Sequence, residues 1–188
     1  MKEILLSVYA SCMLLISGAS AQKTICLWDP AADKAQPFSL HDTQQLQVIV
    51  FLSPECPLCR NYTLTLNQLR ARCEGRVIFT GIIPGKAYTA DDVKDFARKY
   101  KITFPVYIDS GKIVSSALQA TVTPEVFLLR GENKIYYHGA IDNWLKELGM
   151  QSARPTKYYL RDAIDETLQH ITVRISFNKP VGCLINDY

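Results

Sequence analysis

The chain alternates between short runs that are apolar throughout and longer stretches in which apolar residues recur every three or four positions. Residues 47–52, QVIVFL, are β-branched and apolar on both faces, the pattern of a strand buried inside a sheet. Residues 57–73 place Tyr62, Leu66 and Leu69 at helical spacing, and Glu74-Gly75 ends that predicted helix. RVIFTGII (76–83) reads as a second buried strand, stopped by Pro84-Gly85. Residues 89–100 read as a helix capped by Thr89, with early acids and late bases that suit its dipole. A third strand follows at 104–109, then a short helix in GKIVSSALQA. EVFLLR (125–130) and KIYYHGAI (134–141) flank Gly131-Glu132-Asn133 and predict an antiparallel hairpin. The last predicted helix covers 157–171, with Leu160, Ile164 and Leu168 four apart.

This order predicts an α/β protein with a central mixed β-sheet flanked by helices, parallel within and antiparallel where the hairpin joins. Residues 22–45 read as a polar lead-in, 142–156 as a long loop with room for one short helix, and 172–188 as a tail. The sequence of 188 residues suits one such domain. Residues 1–21 stand apart: an apolar run ending in Ala19-Ser20-Ala21 has the form of a signal peptide, with retention as an anchor or lipidation at Cys12 as the other readings. The expected mature chain, 22–188, is exported to the periplasm or another extracytoplasmic space. It meets a membrane only through an uncleaved or lipidated N-terminus. Net charge is +3 with acids and bases mixed, and no basic-aromatic stripe points to nucleic acid.

Export changes how the cysteines read, because disulfides persist in oxidising compartments. The chemistry centres on SPECPLCRN (53–61), where Cys56 and Cys59 fall between a buried strand and a helix. The first amide N–H groups of a helix lack internal partners and stabilise an anion, so Cys56 is expected as a reactive thiolate. Pro57 suits the first helical position. Cys59, one turn on, is placed to resolve a mixed disulfide formed at Cys56. Arg60 favours the thiolate and Glu55 opposes it. Arg60 also stands where a haem attachment motif needs histidine, and one such cysteine pair is half of an ordinary zinc site. His41, His138 and His170 lack ligand spacing. No cofactor is expected. Thr123-Pro124 precedes a predicted strand, and in this fold order a cis proline there lies against the cysteines. Its preceding residue is then free to pair with an extended substrate.

The mature chain keeps five cysteines, an odd number. Cys73, near a helix end, reads as structural. Cys183 is expected to staple the tail to Cys26 or Cys73, the other reading being a second resolving thiol that folds back to Cys56.

ECPLCRNY, TVTPEVFLL, HGAIDN, YLRDAIDETL and VGCLI together resemble the thioredoxin-like superfamily, over about residues 37–171, and within it the redoxin (AhpC/TSA-type) branch. The resemblance implies a thioredoxin-like fold with terminal extensions, Cys56 as nucleophile, Cys59 as resolving thiol and Pro124 as the cis proline. Val50 stands where thioredoxin carries a buried acid. Ile49 replaces the proline of the peroxiredoxin motif, whereas Ser53 and Cys56 match it. The expected function is thiol–disulfide exchange with exported protein thiols or disulfides, recycled by an electron donor. A peroxiredoxin-like thiol peroxidase, with peroxide as substrate, is the first alternative. A Cu(I)-binding module using Cys56 and Cys59, with His138 approaching in space, is the second.

Overall fold

A computed structural model describes residues 25–40, 44–131 and 134–185. The predicted leader 1–21 with Cys12, His41 and the turn residues Glu132 and Asn133 lie outside them. The elements in chain order are strands β1 (Ile25–Asp29), β2 (Lys34–Phe38) and β3 (Leu46–Phe51), then helix α1 (Pro57–Arg72), β4 (Val77–Pro84), α2 (Ala90–Lys99), β5 (Val106–Asp109) and α3 (Ile113–Leu118). The chain continues through β6 (Val122–Thr123), β7 (Glu125–Arg130), β8 (Lys134–Gly139), β9 (Leu145–Glu147), β10 (Met150–Gln151), α4 (Tyr159–Leu168), β11 (Phe177–Asn178) and β12 (Cys183–Leu184).

Eight strands form one mixed sheet in the order β11-β8-β7-β3-β4-β5-β1-β2. β3, β4 and β5 run parallel, and β7 joins β3 antiparallel with Val50 opposite Val126. All six residues of β3 are buried, which explains its unbroken apolar run. Successive residues of a strand point to opposite faces. Val48 and Val50 accordingly join one core cluster with residues of α1, α2 and α4, while Ile49 and Phe51 join another with Leu27 of β1 and Val114 of α3.

Three predicted features take a different form. The polar lead-in contains the β1–β2 hairpin, which extends the sheet beyond β5. Loop 142–156 carries the two small strands β9 and β10 rather than a short helix. The predicted β7–β8 hairpin is not an outer edge, because β11 from the tail pairs parallel with β8. That pairing requires Gly139, where a Cβ would lie 1.8 Å from the Asn178 carbonyl oxygen.

The ends of α1 and α2 follow their sequences. Cys56 is the N-cap of α1 and Pro57 its first residue, while Glu74 and Gly75 turn the chain at positive φ beyond the other end. Thr89 and Asp92 form a reciprocal capping box on α2. α3 is held by a longer reach: the buried carboxylate of Asp109 accepts the N–H groups of Ile113, Val114 and Ser115 at 2.8, 2.9 and 3.1 Å. Asp109→Ala strands these donors, two of them in buried surroundings, and is expected to lower unfolding free energy by on the order of 3 kcal/mol in urea denaturation. A loss below about 0.5 kcal/mol would show that water replaces the carboxylate at no cost.

Candidate active site

The junction of β3 and α1 carries the cysteine pair into the core. Cys56 is 2% exposed and Cys59 is fully buried. A turn closes between them and the strand, with the Cys56 N–H donating to the Ser53 carbonyl at 3.2 Å. The Ser53 N–H in turn donates to the Cys59 sulfur at 3.3 Å. From the far side of the sheet end comes Thr123, joined to Pro124 by a cis peptide. The protonated Cys56 thiol donates to the Thr123 carbonyl oxygen at 3.2 Å.

The two neighbouring thiols have opposite acidity. Cys56 is lowered to about 5, first by a hydrogen bond from the Cys59 thiol, against the opposing effect of burial. A hydrogen bond from the Cys183 thiol and the backbone N–H groups of Cys59 and Leu58 lower it further. Cys59 is raised well above the ordinary thiol range, first by burial and then by its contact with the Cys56 sulfur. One anion is thus held at Cys56 and a proton is kept at Cys59. The amide donors at the helix start contribute, but the Cys59 thiol contributes more. Arg60 is not among the leading influences on Cys56; its Nε donates to the Pro54 carbonyl at 2.8 Å. Glu55 is exposed and is likewise not among them.

The remaining cysteines are dispersed. Cys26 is exposed on β1, and Cys73 is buried at the C-cap of α1, opposite the end that carries Cys56. Cys183 belongs to β12, which pairs antiparallel with β6 in the register Cys183 opposite Thr123. Its thiol reaches Cys56, and burial followed by that contact raises it to about 12. The expected staple from Cys183 to Cys26 or Cys73 is therefore not the arrangement found; α1 alone sets Cys73 about 25 Å from the Cys56 end. All five described cysteines are free thiols.

His138 does not approach the pair. It stacks on Phe127, with ring centroids 5.4 Å apart, in the core cluster on the sheet face away from Cys56 and Cys59. Among the described residues no group of three or more His, Cys, Asp and Glu side chains is arranged to hold a metal ion.

Three supporting residues were not singled out from the sequence. Tyr88 shares a 2.9 Å hydroxyl contact with Ser53. The buried Glu125 carboxylate accepts the N–H groups of Thr121 and Val122 at 2.8 and 3.3 Å, fixing β6 beside Cys56. Asp142, also buried, accepts the Tyr62 hydroxyl at 2.7 Å and ties loop 142–156 to α1. A carboxylate immediately after Thr-Pro was the available signal for Glu125; its partners lie three and four residues back in the chain.

The match that decides the family covers residues 22–138. The chain belongs to the AhpC/TSA family. Comparison with curated protein sequences gives no match. Among solved structures, the redoxin is similar to an uncharacterised conserved protein from Geobacillus kaustophilus, with a TM-score of 0.74 and 22% identity over 88% of this chain and 89% of that one. A hypothetical protein from Sinorhizobium meliloti gives 0.71 and 23% over 87% and 90%. A secreted Mycobacterium tuberculosis disulfide oxidoreductase homologous to E. coli DsbE gives 0.52 and 17% over 79% and 96%. The fold is thioredoxin-like, and family and fold together are those of an oxidoreductase.

The acidity of Cys56 has two measurable consequences. Cys59→Ala removes its first donor, so the ultraviolet thiolate transition of the reduced redoxin should move from about 5 toward the ordinary thiol range. A thiol whose folded pKa lies below its unfolded value contributes stability that is full above the unfolded value and is lost as pH falls through the folded one. The unfolding free energy of reduced wild type, minus that of Cys56→Ser, should therefore grow between about pH 5 and about pH 8. The raised thiols Cys59 and Cys183 work in the other direction only at higher pH, where the unfolded chain ionises them first. A difference that stays flat across this range would place the anion elsewhere.

Proposed function

We propose that the redoxin is a thiol–disulfide oxidoreductase acting on exported proteins, with Cys56 as the attacking thiol and Cys59 as the resolving thiol. The observation that carries this reading is the split acidity of two hydrogen-bonded thiols at one helix start. At neutral pH Cys56 is an anion and attacks one sulfur of a substrate disulfide. The new bond joins Cys56 to that sulfur, and the other substrate sulfur leaves as a thiolate. Cys59 then gives up its proton to the departing substrate sulfur and attacks Cys56. The products are the reduced substrate and a Cys56–Cys59 disulfide, which an external dithiol returns to the starting state. Run in reverse, the same steps oxidise a substrate dithiol.

The leader-like N-terminus and the likeness to a secreted oxidoreductase support an extracytoplasmic setting. A groove of about 410 Å³ beside the Cys56 turn is lined by Glu55, Arg60, Asp92, Asp95 and Lys99, a mixed-charge wall that suits a protein surface. The placement of Ser53 favours disulfide exchange over peroxide reduction. Its hydroxyl is paired with that of Tyr88 and its N–H donates to Cys59, so both of its polar groups have partners other than the Cys56 sulfur.

Insulin reduction with dithiothreitol as electron donor tests the roles. Cys56→Ser is expected to fall to the uncatalysed rate. Cys59→Ser/Cys183→Ser, which leaves no other thiol against Cys56, is expected to accumulate a mixed disulfide at Cys56, visible in intact mass, while turnover is lost. Undiminished turnover in that double variant would remove Cys59 from the mechanism. Consumption of hydrogen peroxide faster than disulfide exchange would replace the proposal with the peroxidase reading.

A further inference from the structure

The last described residues of the tail lie on the edge of β6 beside Cys56. Cys183 and Leu184 pair antiparallel with Thr123 and Val122, and the Ile185 N–H donates to the Thr121 carbonyl at 3.0 Å. The Thr123 hydroxyl donates to the Cys183 carbonyl at 3.5 Å. The contact is closest at Gly182: a Cβ there would lie 2.3 Å from the Thr123 carbonyl oxygen and 2.7 Å from its carbon. These are backbone atoms and cannot yield as a side chain would. Glycine is thus required for the tail to lie on Thr123 and bring the next residue, Cys183, to Cys56. Val181 and Cys183 pack against the core cluster that holds Cys56, Leu184 points to solvent, and Ile185 packs against the second cluster.

This is the geometry by which an extended peptide adds to a sheet edge, with its main chain bonded and alternate side chains received. We infer that the tail Val181–Ile185 is a resident substrate strand, and that Cys183 is a third redox thiol standing where a substrate cysteine would stand. The inference rests on the reading of Cys56 as the exchange nucleophile. In the oxidised redoxin, the Cys183 thiolate attacks the Cys56 sulfur. The Cys56–Cys59 bond breaks, a Cys56–Cys183 bond forms, and Cys59 leaves as a thiolate that takes up the proton Cys183 released. No electrons are gained or lost, and attack by Cys59 reverses the step. An external substrate reaches Cys56 only by displacing the tail from Val122 and Thr123.

The test equilibrates the full chain and its variants in reduced and oxidised glutathione, followed by acid quenching, alkylation and disulfide mapping. Cys59→Ser should hold an intramolecular Cys56–Cys183 disulfide, whereas Cys59→Ser/Cys183→Ser should carry glutathione on Cys56. Adding Gly182→Val to Cys59→Ser should lower the Cys56–Cys183 disulfide about tenfold by reducing the effective concentration of the tail thiol. Gly182→Val alone should raise the rate of insulin reduction several-fold by freeing the β6 edge. A Cys59→Ser chain holding only the glutathione adduct, or pairing Cys183 with Cys26 or Cys73, overturns the third-thiol assignment. An unchanged insulin rate in Gly182→Val overturns the resident strand. If wild type fails to form Cys56–Cys59, the exchange function itself falls; if it forms that bond while Cys56–Cys183 never appears, only the tail inference falls.

Discussion

A single backbone carbonyl, that of Thr123, is where the site is assembled. It accepts the protonated Cys56 thiol, and it stands where a Cβ on Gly182 would have to lie. Its position is fixed twice over. Glu125, buried on β7, holds the N–H groups of Thr121 and Val122, and β7 is locked to β3 residue by residue. β3 leads into Cys56 and β6 leads through Pro124 into β7, so the Cys56 sulfur and the β6 edge are positioned by adjacent strands of one sheet. An error in the β3–β7 register by one residue would turn every side chain of β7 to the wrong face and move Thr123 off the sulfur.

Three thiols share this small space, and burial penalises charge on each of them. Only one can ionise near neutrality, because each neighbour is stabilised as a donor by the anion it faces. The charge goes to Cys56 because donors converge there: two thiols and two amides at the opening of α1. Cys59, fully buried, has the weakest claim on it. In the proposed exchange the same asymmetry assigns the order of events: the sulfur that attacks is the one already ionised, and the sulfur that resolves stays protonated until the anion beside it has been spent in a covalent bond.

The main elements were legible because their signals are local. QVIVFL, the spacing of Tyr62, Leu66 and Leu69, and the Thr89–Asp92 cap each specify their element within a few residues. The position of the cysteine pair between strand and helix followed from them. What escaped was set by distant partners. Two-residue strands such as β11 and β12 have no periodicity to detect, and their pairing depends on glycines at 139 and 182 whose role appears only when the opposing backbone is in place. The electrostatics were half legible: the helix opening was foreseen, but the Cys59 thiol ranks above it, and Arg60 is turned to the Pro54 carbonyl. Cys183 was expected to staple the tail because exported domains commonly tie their ends with disulfides, and spacing in one dimension says nothing of a strand that pairs with an edge 60 residues back.

The near-complete burial of Cys56 imposes a motion on any chemistry with a separate protein. A cysteine 2% exposed cannot meet a substrate disulfide until something leaves, and the tail, paired with β6 beside it, is a short element that can. β12 is two residues long, with an exposed Leu184 on its outer face. A backbone hydrogen bond contributes about 0.5–1.5 kcal/mol net, so releasing so short a strand costs on the order of a few kcal/mol. That is well below the global stability of an ordinary domain and within the range of local opening. The retreat need not extend further back, because β11 is fastened separately at Gly139 and the Glu166 carboxylate holds the Arg174 backbone N–H at 2.9 Å. The tail therefore divides at Lys179–Pro180 into an anchored half and a releasable half, and Pro180, lacking an N–H, adds no backbone donor to hold the second half down.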